Sequence, residues 1–247
     1  MKYFYQILTV FALLVLWQLG SDELIPSPKQ SFMALCEIVQ KGVLQIGIID
    51  SLYRYFWGLV AGLSGGIFVG FIFGLFPKIS MAFDPIINLL RPVSPIAWVP
   101  LVLIIFGIGD KPTIFIISYA VFFPVLLLAS KAVQDVPKEL IIVSKNFGAS
   151  KWQVLSGVIF PSSFLMLISG LKLAASMAWI NLVVGEMLGA QTGLGYLIID
   201  ARNQLRIDIV LAVICVIGVV GWVINQLFCL IEKQISRKFG YDKKSLI

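Results

Sequence analysis

The sequence predicts an all-α polytopic membrane protein with six transmembrane helices. Of its 247 residues, 59% are hydrophobic and 13% are charged, whereas a soluble domain is about half apolar and about a quarter charged. Apolar runs of about 20 residues recur along the chain, and that is the length an α-helix needs to cross a bilayer. The alternating ten-residue strands of a membrane β-barrel do not occur.

We expect the spans to form a single transmembrane domain over residues 1–247. The third span is interrupted by Pro92, Pro95 and Pro100. Since proline frees backbone carbonyls, a broken helix here would line a pathway; a merely kinked helix is the alternative. Trp98 in this stretch would line a cavity or anchor packing. The approximate spans are 3–19, 52–76, 92–109, 112–132, 163–188 and 209–231.

The placement of lysine and arginine predicts the orientation. With both termini in the cytoplasm, twelve cations lie on the cytoplasmic side and five on the other, while Arg54 and Lys172 fall within spans. The net charge of +6 therefore reflects topology and does not indicate nucleic-acid binding. The cytoplasmic twelve are Lys2, Lys78, Arg91, Lys131, Lys138, Lys145, Lys151, Lys233, Arg237, Lys238, Lys243 and Lys244; the other five are Lys29, Lys41, Lys111, Arg202 and Arg206.

Between the first two spans, residues 27–49 predict an amphipathic helix on the outer surface. Its apolar positions at helical spacing are Phe32, Leu35, Cys36 and Val39. It is either a connecting helix or a docking site for an external partner.

The second span carries a glycine at every fourth position. Such a ridge lets helix backbones approach closely, where dispersion contacts replace the hydrophobic drive that lipid cannot supply. We expect it to pack within the bundle or across a dimer, with a direct role in gating as the alternative. The five residues are Gly58, Gly62, Gly66, Gly70 and Gly74.

The fifth span holds the candidate pathway residues. Lys172 lies about ten residues into it, and a cation at that depth normally faces a partner or a watery pathway. It either pairs with a carbonyl or snorkels to the surface, or it offers positive potential to an anionic solute. Helical spacing places Lys172, Ser176, Trp179 and Glu186 on one broad face, and Asn181 completes the candidate set.

A polar stretch, residues 135–161, separates the fourth and fifth spans. Asp135 is the expected N-cap and Pro137 lies in the first turn of a short helix. Gly148 is the expected left-handed residue that closes this helix. Ser150 then caps a second short helix, which Pro161 should end. We therefore expect a helix–glycine–helix knuckle, with Leu140, Val143, Ser144 and Phe147 on one face.

Several kinds of chemistry are missing from the sequence. It contains no histidine, and it lacks the glycine-rich loop that cradles ATP phosphates. Cys36, Cys215 and Cys229 suggest neither a disulfide framework nor a metal site. A membrane enzyme is thus disfavoured. A transport subunit that cannot bind ATP through such a loop needs a separate protein to supply the energy. An ion-coupled secondary carrier is the competing class.

These residues resemble those of ATP-binding-cassette (ABC) importer permeases. The cytoplasmic loop of that family reads E-A-A, then Gly, then I-x-L-P; Gly148 matches the glycine and residues 158–161 match the tail. The chain is similar to the nitrate/sulfonate/taurine/bicarbonate importer group through residues 94–110, 170–173 and 178–190.

The similarity covers residues 26 to about 235. One departure is that the glutamate of the loop is Ile142 here, followed by Val143 and Ser144 in place of two alanines.

The resemblance implies a type I ABC importer permease fold in a bacterial cytoplasmic (inner) membrane. Two copies, expected as a homodimer in membrane lipid, would form the pathway, and an extracytoplasmic solute-binding protein would deliver the solute. Cytoplasmic ATPase subunits would hold ATP and Mg²⁺, so the chain itself would bind no cofactor or metal. The expected solute is small and anionic, such as a sulfonate, taurine, nitrate or bicarbonate; thiamine-pyrimidine and riboflavin importers have similar permeases.

The same resemblance makes the knuckle the ATPase-coupling loop. We expect Phe147 to enter an ATPase groove, with packing against the bundle as the alternative. The expected coupling residues are Lys138, Glu139, Lys145, Asn146, Phe147, Gly148, Ala149 and Ser150.

Overall fold

The computed structural model describes residues 2–22 and 25–238, and every regular element in this part of the chain is helical. Most of these helices are several turns long. In chain order they are α1 (Lys2–Leu19), α2 (Pro28–Gln40), α3 (Val43–Leu75), α4 (Pro77–Leu90), a 3₁₀ turn (Pro95–Trp98), α5 (Val99–Phe106), α6 (Asp110–Gln134), α7 (Lys138–Asn146), α8 (Lys151–Val154), a π-helical turn (Leu155–Ile159), α9 (Phe160–Gly189), α10 (Leu194–Asn203) and α11 (Ile207–Lys238).

The six predicted spans correspond to α1, α3, the bent pair of α4 and Pro95–Phe106, α6, α9 and α11. Five stretches of the described residues are long and apolar enough to cross a membrane, or six when the bent pair counts as one span. Two of the five, 151–168 and 170–189, are successive parts of one continuous helical segment, and none of the five falls on α1. Helix α10, which lies between α9 and α11, was not predicted.

The third span is broken more strongly than predicted. Helix α4 and the segment Pro95–Phe106 meet at 84°, so the expected bounds 92–109 need correction. Proline disfavours the α conformation in the residue before it, and Ser94, which precedes Pro95, is extended with φ −59° and ψ 136°. The Tyr119 hydroxyl donates a hydrogen bond of 2.7 Å to the Leu90 carbonyl, which also accepts from the Val93 N–H at 3.1 Å.

Helices α3 and α6 pack along the glycine ridge. A Cβ added at Gly62 would lie 2.7 Å from the Val121 Cβ, and one added at Gly66 would lie 2.8 Å from the Phe122 carbonyl oxygen. The three other ridge glycines also face α6, so all five lie inside the bundle. Since any side chain would push the two backbones apart, the absence of a Cβ allows this contact.

Helix α2 packs against the bundle through a face other than its predicted apolar stripe. Ser27 caps it in a capping box with Gln30. The buried residues are Ser31, Ala34 and Ile38, which face the bundle, whereas Phe32, Cys36 and Val39 are exposed and Leu35 is half-buried. The predicted apolar positions Phe32, Cys36 and Val39 thus face away from the bundle, and apolarity alone does not distinguish a protein-facing stripe from a lipid-facing one in a membrane protein.

One ion pair, within a small cluster of charges, joins α2 to the start of α11. The Arg206 Nη2 lies 2.8 Å from the Glu37 carboxylate and 2.8 Å from that of Asp208. Lys41 Nζ lies 2.6 Å from Glu37 as well. Hydrogen bonds from Arg206 and then from Lys41 lower the pKa of Glu37 to about 2. Because this pKa is depressed, the contribution of the pair to stability is present above the unfolded pKa and is lost only as the pH falls toward 2.

The glycine ridge makes a testable prediction about stability. Gly66→Leu should separate α3 from α6 and destabilise the protein by about 1–3 kcal/mol or more, the usual cost of overpacking. Gly218→Leu is the matched control, since a Cβ at Gly218 meets nothing within 4 Å. Thermal unfolding in detergent measures both, and equal melting temperatures would contradict the packing assignment.

Candidate functional site

A cavity of about 620 Å³ lies between the α4–α5 break, α6 and α9. Arg91, Val93 and Pro95 come from the break, so the interrupted helix does line the cavity. The remaining lining residues are Tyr119, Ala120, Phe123, Pro124, Val125, Leu127, Leu128 and Lys131 of α6, and Gly170, Leu173, Ala174, Met177 and Asn181 of α9.

The charges on the cavity wall are of one sign. Among the described residues that line it, Arg91 and Lys131 are cationic and none is acidic. Neither forms an ion pair with another described residue. Like charges on the wall of a cleft in low-dielectric surroundings raise the local concentration of the opposite ion. The cavity therefore favours an anion.

The cavity-facing side of α9 differs from the predicted one. Of the candidate residues on α9, Asn181 lines the cavity. Lys172, Ser176, Trp179 and Glu186 share one helical face, as expected, and their spacing from the lining residues puts that face on the opposite side of α9. There the Trp179 indole packs edge-on against Tyr55 and donates a hydrogen bond to the Ile217 carbonyl.

Lys172 and Trp98 both lie outside the cavity wall. Lys172 is half-buried, and its carbonyl accepts a hydrogen bond of 3.0 Å from the Ser176 hydroxyl. The Trp98 ring packs against Tyr119, at 5.7 Å between centroids. Its buried Nε1 has no hydrogen-bond partner among the described residues. Trp98 thus packs against Tyr119, which lines the cavity, without lining the cavity itself.

A buried ionic network, which we call the Arg54–Glu186 clamp, joins α3, α6, α9 and α10. The Arg54 Nη1 donates to the Glu186 carboxylate at 2.8 Å and to the Thr192 carbonyl at 2.7 Å, and its Nε donates to Asp110 at 2.6 Å. Both Arg54 and Glu186 are buried, while half of the Asp110 side chain is exposed. The clamp thus holds the start of α6 and the α9–α10 loop on α3.

Both carboxylate oxygens of Glu186 accept further hydrogen bonds. The Ser51 hydroxyl donates to its carboxylate at 2.8 Å, and the Gly195 backbone N–H donates at 2.9 Å. A Cβ at Gly193, whose φ is +107°, would collide with this carboxylate. A buried carboxylate needs such compensation, because an unpaired charge in a low-dielectric interior is costly.

Sequence reasoning missed the clamp, although a signal for it existed. The sequence places Arg54 within a span, and the distance along α9 excludes Glu186 as a partner of Lys172. Since charges within a membrane almost always pair, the buried cation Arg54 and the acidic Glu186 on another helix were natural partners. The sequence did not show which residues of α3 and α9 lie side by side.

The knuckle has the predicted glycine closure but different helix boundaries. Asp135 caps the C-terminus of α6, and Pro137 is the N-cap of α7. Asp135 is therefore not the N-cap of the short helix, since α6 continues to Gln134. Gly148 has φ +80°, and the Ala149 N–H donates to the Ser144 carbonyl at 3.1 Å. These are features of a Schellman closure.

The second arm of the knuckle runs directly into α9. Ser150 caps α8 in a capping box with Gln153. Pro161 does not end the helix, because it lies in the first turn of α9, where its missing N–H costs little. A five-residue π-helical turn, Leu155–Ile159, joins the two helices without a break.

The coupling residues lie on the surface of the knuckle. Phe147 is 87% exposed, and α7 has no buried residue. Of the other expected coupling residues, Ala149 is half-buried, while Lys138, Glu139, Lys145, Asn146, Gly148 and Ser150 are exposed. The described residues hold no group of three or more potential metal ligands.

The clamp makes a second prediction. Arg54→Met should destabilise the protein by about 3–5 kcal/mol, because it leaves Glu186 buried without its cation. The control Arg202→Met removes an exposed arginine that has no ion pair among the described residues. Thermal unfolding in detergent should show a large loss for the first variant alone. Equal melting temperatures would mean that the clamp contributes no stability.

Comparisons with known proteins find relatives that are named as transport permeases. The chain is 35% identical over 239 residues to the taurine transport system permease protein TauC of Escherichia coli, covering 95% of this chain and 87% of TauC. It is 28% identical to the nitrate import permease protein NrtB of Synechocystis, covering 92% and 86%. It is also 28% identical to the bicarbonate transport system permease protein CmpB of Synechococcus elongatus, covering 92% and 87%.

Solved structures and a family match complete the comparison. A crystal form of the inward-facing MetNI methionine ABC transporter has a chain of the same fold, with a TM-score of 0.70 and 18% identity, covering 79% of this chain and 97% of that one. Residues 62–238 match the family described as the binding-protein-dependent transport system inner membrane component. The chain therefore belongs to this family of multi-pass inner-membrane permeases, the membrane subunits of ABC importers.

Proposed function

We propose that this chain is the passive conduit of an ATP-driven importer for a small solute with an anionic oxygen group. Two copies would form the pathway within membrane lipid, and a solute-binding protein would deliver the solute from outside. Cytoplasmic ATPase subunits, which would hold ATP and Mg²⁺, would bind the knuckle. Both chain termini would then lie in the cytoplasm, as the bias of lysine and arginine predicts.

The exposed knuckle is the observation that carries this proposal. Helix α7 has nine residues and none is buried, although isolated helices of this length are marginal in water. Several of its apolar side chains are exposed, and the neighbouring Phe147 is more exposed than they are. Such a helix gains stability from a partner outside this chain. The exposed apolar residues of α7 are Leu140, Ile142 and Val143.

The knuckle is also suited to transmit motion. The Schellman closure fixes the turn at Gly148, and the capping box at Ser150 fixes the start of α8. From there the helix continues without a break into α9, which forms one wall of the cavity. A displacement of the knuckle by an ATPase would therefore reach the cavity as a hinge or shear movement.

Phe147→Arg tests this coupling. In liposomes with the ATPase subunits and the binding protein, we expect uptake to fall by about tenfold or more, since a buried aromatic anchor contributes about 2 kcal/mol or more to an interface. ATP hydrolysis should no longer respond to the binding protein.

Phe147→Leu, which keeps an apolar side chain, should retain most of the coupling. Tight coupling in Phe147→Arg would contradict the proposed contact. Uptake driven by an ion gradient with no ATPase present would contradict the importer itself and favour a secondary carrier.

The cavity supports an anionic solute. Arg91 and Lys131 supply its charge, and Asn181 and Tyr119 supply polar groups on an otherwise apolar wall. Taurine, nitrate and bicarbonate, for which the three relatives are named, all carry an anionic oxygen group. A sulfonate, nitrate or bicarbonate is therefore the proposed class of solute.

Neutralising the cavity cations tests the solute class. With taurine, an alkylsulfonate, nitrate and bicarbonate as probes, Arg91→Gln and Lys131→Gln should each lower uptake of the transported anion by about tenfold, because a hydrogen bond to a charged group contributes about 1.5–3 kcal/mol. The binding protein should still stimulate ATP hydrolysis.

Lys172→Gln distinguishes the two assignments of the cation. It should leave uptake near the wild-type level, because Lys172 lies on the opposite face of α9. Loss of uptake in Lys172→Gln alone would make Lys172 the pathway cation. Uptake of riboflavin or a thiamine pyrimidine in place of the anions would contradict the solute class while leaving the permease role intact.

A further inference from the structure

The turn between α10 and α11 places a leucine in a conformation that normally requires glycine. Leu205 has φ +57° and is the one non-glycine residue with positive φ in the described part of the chain. Its N–H donates to the Arg202 carbonyl at 3.0 Å, and the Arg206 N–H donates to the Ala201 carbonyl at 2.9 Å. This is a Schellman closure with leucine at the left-handed position. Because a Cβ is crowded there, the leucine strains the backbone.

The strain is not offset by burial within this chain. Leu205 is 84% exposed, and among the large apolar side chains described, Phe147 alone is more exposed. The equivalent closure at the knuckle uses Gly148 for the left-handed position. At Leu205, in contrast, a strained residue presents an apolar side chain to its surroundings. Backbone strain that is not offset by packing within the chain indicates a role in contact with another molecule.

The surroundings of Leu205 are polar and carry balanced charge. Three cations and three anions lie nearby on α2, α10 and α11, and most are held in ion pairs around Arg206 and Glu37. A balanced set gives no net attraction to anionic lipid headgroups, which bind clusters of like cations. An apolar centre with a polar rim is the usual anatomy of a protein–protein contact. The six residues are Glu37, Lys41, Asp200, Arg202, Arg206 and Asp208.

We propose that this corner, centred on Leu205, is a docking point for the solute-binding protein; this rests on the proposed function. The corner lies at the end of the bundle opposite the knuckle, because α6 and α9 run from the knuckle to the clamp and α10 follows α9. On the predicted topology, that end faces outward. The partner surface would offer an apolar depression with a rim of both charges.

Helix α10 connects this docking point to the interior. Its first turn is bound to the clamp through the Gly195 N–H and Glu186, and its last turn carries Leu205. Glu186 lies on α9, the helix that also contributes Asn181 to the cavity. Docking on Leu205 would therefore act on α9 through a rigid helix of ten residues and a buried ion pair.

The test uses the complete transporter in lipid nanodiscs, together with its cognate solute-binding protein. Leu205→Gly relieves the strain and removes the apolar side chain. We expect it to weaken binding-protein affinity by about tenfold, the effect of losing a moderate anchor. Its basal ATP hydrolysis should be unchanged and its melting temperature equal or higher. Leu205→Met should bind like the wild type.

Val219→Ala is the control, since Val219 is an exposed apolar residue of the α11 span. If the binding protein stimulates the wild type and Leu205→Gly equally, the docking point is wrong and the proposed function stands. If it does not bind or stimulate the wild type, both fail. A photocrosslinker at position 205 should react with the binding protein, and reaction with lipid alone would overturn the proposal.

Discussion

The arrangement of this protein depends on one buried ion pair, between Arg54 of α3 and Glu186 of α9. Neither charge can reach water, so each must be satisfied within the bundle. Arg54 meets this requirement by binding Asp110 and the Thr192 carbonyl as well. Glu186 does so by accepting from Ser51 and Gly195. These hydrogen bonds and ion pairs fix the relative positions of four helices. A purely apolar contact between membrane helices would allow many more arrangements.

From this clamp the rest of the bundle follows by close packing. The glycine ridge of α3 lies against α6 along its whole length, and α6 in turn forms one wall of the cavity. The cavity is lined on a further side by the break before Pro95, through Arg91, Val93 and Pro95. Its two cations then give it a preference for anions.

The two ends of the bundle use the same local device for different purposes. Each carries a short helix closed by a Schellman turn, and each presents one highly exposed apolar side chain, Phe147 or Leu205. A rigid turn is a suitable mount for such a side chain, because little conformational entropy is lost when a partner binds it. The knuckle continues into α9, and α10 is fastened to α9 by the clamp. Events at both ends therefore converge on the helix that lines the cavity.

The sequence was sufficient wherever the controlling chemistry was local. Apolar runs predicted the membrane helices, the spacing of Gly58 to Gly74 predicted close helix contact, and Gly148 predicted the closure of the knuckle. Each of these features depends on residues within a few turns of one another. Local rules also had limits. Pro161 was compatible with the end of one helix or with the first turn of the next, and only the structure showed that it lies in the first turn of α9.

Contacts between distant parts of the sequence could be identified only in the folded structure. Arg54 and Glu186 are separated by 132 residues, and their pairing depends on the register between two helices, which periodicity does not reveal. The same reason explains why the cavity faces Asn181 and not Lys172, and why α2 buries Ile38 and not Phe32. In a lipid environment, apolar residues are equally suited to protein and to bilayer. Helices could therefore be located from the sequence, but which face of each one meets another helix was set by tertiary packing and by the need to pair buried charges.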